Sequence, residues 1–293
     1  MIKRDLALRT YMMATWPLRS FMRGYLNYHN RAPVAGLFLH RVADDVPNPW
    51  TITNAHFDWM LTWLQLNVDI VSIDEATRRI REGHSGRMSV FITFDDGYAD
   101  NCLFAIPELI SRKVPFTYYV TTQNVLNGKP FPHDLKRNAP LAPNSVDEIR
   151  AMSDVGVEIG AHTRTHPDMA TLSRLSDMEL EIRGCRDDLA DWTGKEPRHF
   201  AFPFGLPENL NPRAVQYLYD IGFESYSSAM GGYNFPRGNA FHLKRFHADP
   251  VAVRFENWLS YDPRWIFNVP EFEYVPFKRK HMPDNEPAAA TKS

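Results

Sequence analysis

Cysteine is scarce in this chain, and net charge is nearly absent. Only two of the 293 residues are cysteines, Cys102 and Cys185, and they form no spacing pattern. This argues against a disulfide framework and is compatible with a reducing compartment. The formal net charge of -2 gives no reason to expect nucleic acid as a partner. The length suits one large domain of the α/β-barrel type as well as two small ones.

The N-terminal region lacks an apolar run of membrane-spanning length. Residues 1–31 carry one acid, Asp5, against six basic residues, Lys3, Arg4, Arg9, Arg19, Arg23 and Arg31. The longest uncharged stretch among them holds nine residues, too few to cross a bilayer, and no small-x-small cleavage site follows it. Leucines, methionines and aromatic residues between the arginines indicate a basic amphipathic helix. It could lie on an anionic membrane surface or pack on its own domain.

Short apolar segments alternate with helical patterns from residue 33 onward. The apolar runs predict eight strands, at 34–40, 68–73, 89–95, 115–121, 156–161, 198–204, 223–229 and 240–247. Helical patterns between them cover 54–66, 74–82, 100–112, 145–154, 174–192 and 211–221. This alternation implies a parallel sheet, and seven or eight strands favour a closed α/β barrel over an open sheet. We therefore predict a barrel domain over 32–275, preceded by the helix over 1–31 and followed by a disordered tail over 276–293.

Two adjacent carboxylates end one of the predicted buried strands. Residues 91–98 read Phe-Ile-Thr-Phe-Asp-Asp-Gly-Tyr, so Asp95 and Asp96 follow the apolar run directly. Two acids at the edge of a core cost desolvation and mutual repulsion unless a cation or a proton offsets them. Taken alone, the pair could also be a helix N-cap with a solvated neighbour.

Two histidines follow another strand-like run in the same way. His162 and His166 lie in the segment His-Thr-Arg-Thr-His-Pro, directly after residues 157–160. Alone, they could form an exposed turn. Together with one aspartate they make a metal site with open positions, which leaves the other aspartate free to move protons. The combination indicates a metal-dependent hydrolase.

Further polar side chains fall at the carboxyl ends of predicted strands. His40, Thr121 and His247 share this placement with the aspartates and with His162. In a β/α barrel these ends converge on one face, where active sites lie. The segment 124–144, which contains four prolines, is interpreted as an insertion or lid over that face.

Three motifs, in order, resemble the signatures of the NodB-type polysaccharide deacetylases, carbohydrate esterase family four. They are Thr93-Phe94-Asp95-Asp96-Gly97, His162-Thr163-Arg164-Thr165-His166-Pro167 and Phe200-Ala201-Phe202-Pro203-Phe204-Gly205. The opening Phe38-Leu39-His40-Arg41-Val42 is also similar to the start of many members. The resemblance runs from about Val34 to Asp249 and implies a distorted (β/α) barrel of about seven strands.

The resemblance also implies a metal-dependent removal of acetyl groups from sugars. Carried over by position, Asp96, His162 and His166 would hold one divalent ion, zinc or a similar metal, and Asp95 would be the general base. The chemistry agrees, because a divalent ion polarises the acetyl carbonyl and a carboxylate beside it can take a proton from water.

Other site residues follow from the third motif and from the last strand. The backbone N–H of Phe204, after Pro203, resembles the family's oxyanion donor, and His40 is expected to line the pocket. Many members carry an arginine that orients the base two places before this proline, but here that place is Ala201. The candidate general acid is His247, with a structural histidine as the alternative.

We therefore predict a hydrolase that removes N-acetyl or O-acetyl groups from a sugar in a glycan or glycan precursor. One alternative is hydrolysis of another amide, such as a formyl group or a cyclic ureide. Another is a catalytically dead sugar-binding relative, but sugar binding alone does not need Asp95. An iron oxygenase would share the metal ligands, yet its β-sandwich conflicts with the strand–helix alternation. We expect a cytoplasmic enzyme in peripheral contact with the inner membrane face, with secretion left open.

Overall fold

A ring of parallel strands surrounded by helices forms the body of the protein. The structure is a computed structural model that describes residues 2–248 and 250–277. The predicted tail over 276–293 lies outside these residues from 278 onward. The strands of the described part are β1 Val34–Leu39, β2 Arg41–Val42, β3 Thr51–Ile52, β4 Asp69–Ile70, β5 Ser89–Phe94, β6 Phe116–Val120, β7 Glu158–Ala161, β8 His199–Ala201, β9 Ser225–Ser228, β10 Tyr233–Asn234 and β11 His242–His247.

Helices connect most of these strands. The α-helices of the described residues are α1 Ile2–Ala14, α2 Trp16–Tyr28, α3 Asn54–Asn67, α4 Ile73–Glu82, α5 Ala105–Ser111, α6 Thr122–Asn127, α7 Pro132–Leu135, α8 Val146–Asp154, α9 Leu175–Thr193, α10 Pro212–Asp220, α11 Ala252–Trp258 and α12 Pro263–Phe267. Short 3₁₀ turns lie at Ala99–Cys102, Met169–Thr171 and Pro207–Asn209.

Seven strands close into a barrel. β1 pairs in parallel with β5 on one side and with β11 on the other. The remaining parallel pairs run from β5 through β6, β7, β8 and β9 to β11, which completes the circle. The prediction of a (β/α) barrel of about seven strands is therefore confirmed. β10 lies antiparallel to β1 and β4 lies beside the start of β5.

The barrel interior has room for large side chains because β1 carries a glycine there. β1 and β5 are buried at every residue, as expected for parallel strands covered on both faces. Gly36 on β1 leaves the room. A Cβ there would lie 2.4 Å from the Phe91 ring and 2.7 Å from Cγ of Arg245. A glycine at this point thus lets an arginine enter the barrel beneath the carboxyl ends of the strands.

The N-terminal region forms two helices instead of the single predicted helix. α1 ends at Ala14 and α2 begins at Trp16. Pro17 explains the break, because proline has no N–H to donate to the preceding turn and is favoured in the first turn of a helix.

Candidate active site

The end of β5 places two carboxylates at the carboxyl face of the barrel. The N–H of Asp95 donates to the Leu39 carbonyl at 2.8 Å, which continues the pairing of β1 with β5. The backbone then turns at Asp96, which has a φ of 75°. This left-handed conformation is uncommon for an aspartate and directs the chain into the following turn. Both side chains are buried.

Asp96 lies against both predicted histidine ligands. Its Oδ1 is 3.3 Å from Nε2 of His162 and 3.2 Å from Nε2 of His166. The three groups each offer one ligand atom, and these atoms lie within 4.8 Å of one another. Asp96 Oδ1 is buried and has no hydrogen-bond partner among the described residues. An unsatisfied carboxylate oxygen facing two imidazole nitrogens is the donor set expected of a divalent metal site.

A backbone contact fixes one of the histidines for this role. Nδ1 of His162 lies 2.8 Å from the carbonyl oxygen of Ala201 on β8. A carbonyl only accepts, so Nδ1 carries the proton and the lone pair of Nε2 points towards Asp96. Strained backbone surrounds the group as well, since Thr163, His166 and Phe204 all have φ between 58° and 66°. Such residues cluster at functional sites.

A second acidic cluster at the other end of the strands does not fit a metal. Asp74, His199 and Glu224 also bring ligand atoms together. The guanidinium of Arg198 already pairs with both carboxylates of this cluster, 2.7 Å from Asp74 and 3.7 Å from Glu224. His199 also bonds Asp74 at 3.0 Å. This group is a structural ion-pair network.

Asp95 is held by an arginine that the sequence did not predict as a site residue. Nη1 and Nη2 of Arg245, on β11, donate to Oδ1 and Oδ2 of Asp95 at 2.7 and 2.9 Å. Nη1 also donates to the Thr93 hydroxyl at 2.8 Å. The guanidinium lies 5.0 Å from the centre of the Phe38 ring. A bidentate pair of this kind fixes the orientation of the carboxylate.

These contacts set the ionisation of the two acids. Burial by itself would raise the pKa of Asp95, but the charge of Arg245 and its hydrogen bonds hold that pKa below its ordinary value. Burial would likewise raise the pKa of Asp96, and the charge of the adjacent His166 holds it well below its ordinary value. Both groups are therefore carboxylates near neutral pH, one towards the imidazoles and one towards the guanidinium.

A cavity of about 190 Å³ opens over these groups. The sequence-predicted residues that line it are Asp95, Asp96, His162, His166, Phe204 and His40. Pro203 and His247 are not part of its lining. The His247 ring centre lies 6.2 Å from that of His40 and 5.2 Å from that of Phe38, and both of these residues line the cavity. Nδ1 of His40 is buried and has no hydrogen-bond partner within the described residues.

The residue predicted as the oxyanion donor belongs to the wall of the cavity. Phe204 lines the cavity, and its ring centre lies 5.1 Å from that of His166. Among the described residues, its backbone N–H donates to no protein acceptor, whereas the N–H of Gly205 bonds the Pro203 carbonyl. An uncommitted N–H beside the metal group can stabilise a developing oxyanion.

The proline-rich segment 124–144 is a wall of the site. The Asn144 N–H donates to the Gly97 carbonyl at 2.8 Å and fixes the segment to the loop that follows Asp96. The segment brings His133 into the cavity, with Nε2 2.9 Å from the Tyr98 hydroxyl. Trp50 lines the cavity beside it. The proline content indicated the segment, but neither of these residues was predicted as a site residue.

Comparison with known proteins agrees with the motifs. The family model for polysaccharide deacetylase matches residues 82–226. The chain belongs to the polysaccharide deacetylase family. A chitooligosaccharide deacetylase from Bradyrhizobium sp. (strain ANU 289) is 27% identical over 132 residues, which are 45% of this chain and 52% of that protein. The match thus spans about half the length of this curated relative.

Solved structures share the fold of this deacetylase family member. IcaB from Ammonifex degensii aligns with a TM-score of 0.66 at 23% identity, over 78% of this chain and 97% of that one. The Streptococcus pyogenes deacetylase PplD, solved with acetate, aligns with a TM-score of 0.67 at 19% identity, over 78% and 99%. The predicted family and barrel are both confirmed.

Proposed function

We propose that this protein is a metal-dependent hydrolase that removes an N-acetyl group from a sugar in a glycan or glycan precursor. One observation carries the proposal. A buried carboxylate and two imidazoles converge at the barrel mouth, and a second carboxylate, fixed by Arg245, lines the same cavity. The metal ligands would be Asp96, His162 and His166, and we propose zinc because imidazole and carboxylate ligands with open positions suit it.

Each protein group around the cavity has a separate role in the proposed amide hydrolysis. When bound, a divalent ion would polarise the acetyl carbonyl and acidify water. Asp95 is an ionised carboxylate with its orientation fixed, so it can accept the proton of the attacking water. The N–H of Phe204 would stabilise the oxyanion, and one such donor is typically worth about 3 kcal/mol of barrier. O-acetyl esters would be attacked by the same groups.

The sugar amine that leaves needs a proton, and His40 is better placed to give it than His247. His40 lines the cavity, whereas His247 is not part of the lining. Replacing His40 with Asn should lower turnover on an N-acetyl sugar at least about tenfold more than on an activated acetyl ester, because an activated leaving group needs little help from an acid. His247→Asn is the matched control and should affect both substrates alike. A selective loss in His247→Asn alone would return the acid role to His247.

The alternatives differ in what they require of the cavity. A sugar-binding scaffold has no use for a carboxylate that is buried and ionised by an arginine, so Asp95 and Arg245 favour an enzyme. A formyl amide or a cyclic ureide could be attacked by the same chemistry. The aromatic residues Trp50 and Phe204 at the cavity favour a sugar, whose apolar ring faces stack on such side chains.

Acetate release tests this proposal. The metal-loaded protein should release acetate from at least one class among N-acetyl oligosaccharides, free sugar nucleotides and lipid-linked N-acetyl sugars. Formyl amides and cyclic ureides are the comparison substrates. Turnover of a comparison substrate without acetate release from any sugar would contradict the proposed function.

A further inference from the structure

The N-terminal helices pack on the barrel through one side only. Arg19 of α2 is buried and donates to Asn257 Oδ1 at 2.7 Å and to the Ser260 hydroxyl at 2.7 Å. The Tyr11 hydroxyl of α1 donates to Asp262 at 2.8 Å. Leu26 is buried as well. The two helices are thus part of the folded domain, and removing them would uncover polar groups of the C-terminal segment.

The outward side of the same helices is apolar and aromatic. Of the 21 large apolar side chains exposed in the described residues, seven belong to α1 and α2, namely Leu6, Met13, Trp16, Leu18, Phe21, Tyr25 and Tyr28. Tyr28 is 83% exposed, Met13 77%, and Trp16 and Phe21 65% each. A third of the exposed apolar side chains thus lies within two of the helices. Such a concentration marks an interaction surface.

The charges between these side chains are positive. Arg4, Arg9, Arg23 and Arg31 are all exposed. Asp5, the one acid in residues 2–31, is half-buried and lies 3.9 Å from Arg254. We call the exposed apolar side chains of α1 and α2, together with these four arginines, the aromatic–arginine face. It presents four exposed cations, and the one carboxylate of its own helices, Asp5, is half-buried beside Arg254.

A cleft beside α2 extends this face towards the barrel. It has a volume of about 460 Å³, and its lining includes Trp16, Arg23, Asn27 and Arg87. Arg23 makes no ion pair within the described residues, and Arg87 forms an ion pair with Asp69 at 3.5 Å. Cationic groups at an open cleft next to exposed aromatic rings suit a phosphate ester at the polar boundary of a bilayer.

We propose that the aromatic–arginine face binds the surface of an anionic phospholipid bilayer, with Trp16 and Phe21 at the level of the headgroups and Arg23 on the lipid phosphates. Aromatic side chains favour this interface because one part is apolar and the other polar, and amphipathic helices with arginine on the polar side bind anionic lipids. Among the described residues, no helix is both long enough and apolar enough to span a bilayer.

Vesicle co-sedimentation of the full chain tests this proposal without reference to catalysis. The protein should bind phosphatidylglycerol-containing vesicles at low salt, bind less at high salt, and bind pure phosphatidylcholine weakly. Arg23→Glu should weaken binding about tenfold or more, because it removes one arginine, which contributes about a factor of five near an anionic surface, and adds a carboxylate that the surface repels. Phe21→Ser should weaken binding by a similar factor, because it removes an aromatic ring that would be buried at the interface. Leu180→Ser, which removes another exposed apolar helical residue, and Arg213→Glu are the matched controls and should bind like the unaltered chain.

Quenching of tryptophan fluorescence by brominated lipids gives a second measurement. It should fall in Trp16→Phe, a variant that keeps an aromatic ring at the surface. Equal binding by Phe21→Ser and Leu180→Ser would overturn the proposal. Equal binding of the unaltered chain to phosphatidylglycerol-containing and to pure phosphatidylcholine vesicles would also overturn it. So would sedimentation velocity that shows a dimer dissociated by Phe21→Ser in the absence of vesicle binding, since the face would then join two copies of the chain.

Discussion

Asp95→Asn should retain the metal and lose about 10²–10⁴-fold in turnover, the usual worth of a positioned general base. Asparagine has nearly the same shape and can still accept a hydrogen bond from Arg245, but it cannot take a proton from water. Metal content by mass spectrometry and acetate release should be measured on the same preparation. The expected result is one divalent ion per chain together with strongly reduced acetate release.

Asp96→Asn provides the comparison for this variant, because it changes the neighbouring carboxylate in the same way. It should lose metal affinity first and activity as a consequence, so that added metal restores part of the turnover. Added metal should leave Asp95→Asn unchanged. Near-normal turnover in Asp95→Asn would refute the assignment of the base.

Replacing Arg245 with Met should lower turnover about 10–100-fold, the range typical of residues that orient a group at a metal site. It should also lower the free energy of unfolding by about 3–5 kcal/mol, because the Asp95 carboxylate would stay buried without its cation. Burial would then raise the pKa of Asp95. Asp95 can act as the base only in its ionised form. The acidic limb of the pH–rate profile should therefore move to higher pH. A residue with a purely structural role would not shift that limb.

A second experiment tests whether a guanidinium on β8 can orient Asp95 in place of the guanidinium on β11. Ala201 is buried in the barrel with Phe91, Tyr119 and Leu243, and it occupies the place where many family members carry the arginine that orients the base. In Arg245→Ala, the added change Ala201→Arg should return part of the turnover and move the acidic limb back. Ala201→Arg in the unaltered chain is the control and should lower stability through overpacking. Failure of the rescue in a folded double variant would mean that Asp95 needs the guanidinium from β11.

The barrel and the predicted metal ligands Asp96, His162 and His166 could be identified from local sequence patterns. The apolar run before Asp95 ends in charged residues and a glycine, so both the strand and its end were visible in the sequence. The spacing of His162 and His166 after another such run then placed them at the same face, and the structure brings all of them to one cavity. All eight predicted strands are present, with boundaries that differ by a few residues.

Arg245 was missed because its partner lies 150 residues away in the sequence. Alternation along β11 placed Arg245 and His247 on one strand face, but the pattern could not say that Arg245 reaches Asp95. The absence of an arginine at position 201 was the available signal, since a buried carboxylate needs a cation from some strand. His133 was missed for a similar reason, because only the folded lid segment brings it to the cavity.

The N-terminal helices show the same limit. Their sequence indicated an amphipathic pattern, but not which charged residue faces inward. The structure buries Arg19 among polar groups of the C-terminal segment and leaves Phe21 and Arg23 exposed. Whether a given arginine is buried depends on partners such as Asn257, which are distant in the chain.

Acetate release before and after metal removal tests the central claim most directly. The purified protein would be stripped with a chelator, dialysed, and assayed on its best N-acetyl sugar with and without added zinc, beside His162→Ala treated in the same way. The account predicts that stripping abolishes acetate release, that zinc restores it in the unaltered chain, and that His162→Ala neither holds the metal nor regains activity. Acetate release that survives complete metal removal, or that is unchanged in His162→Ala, would contradict the account.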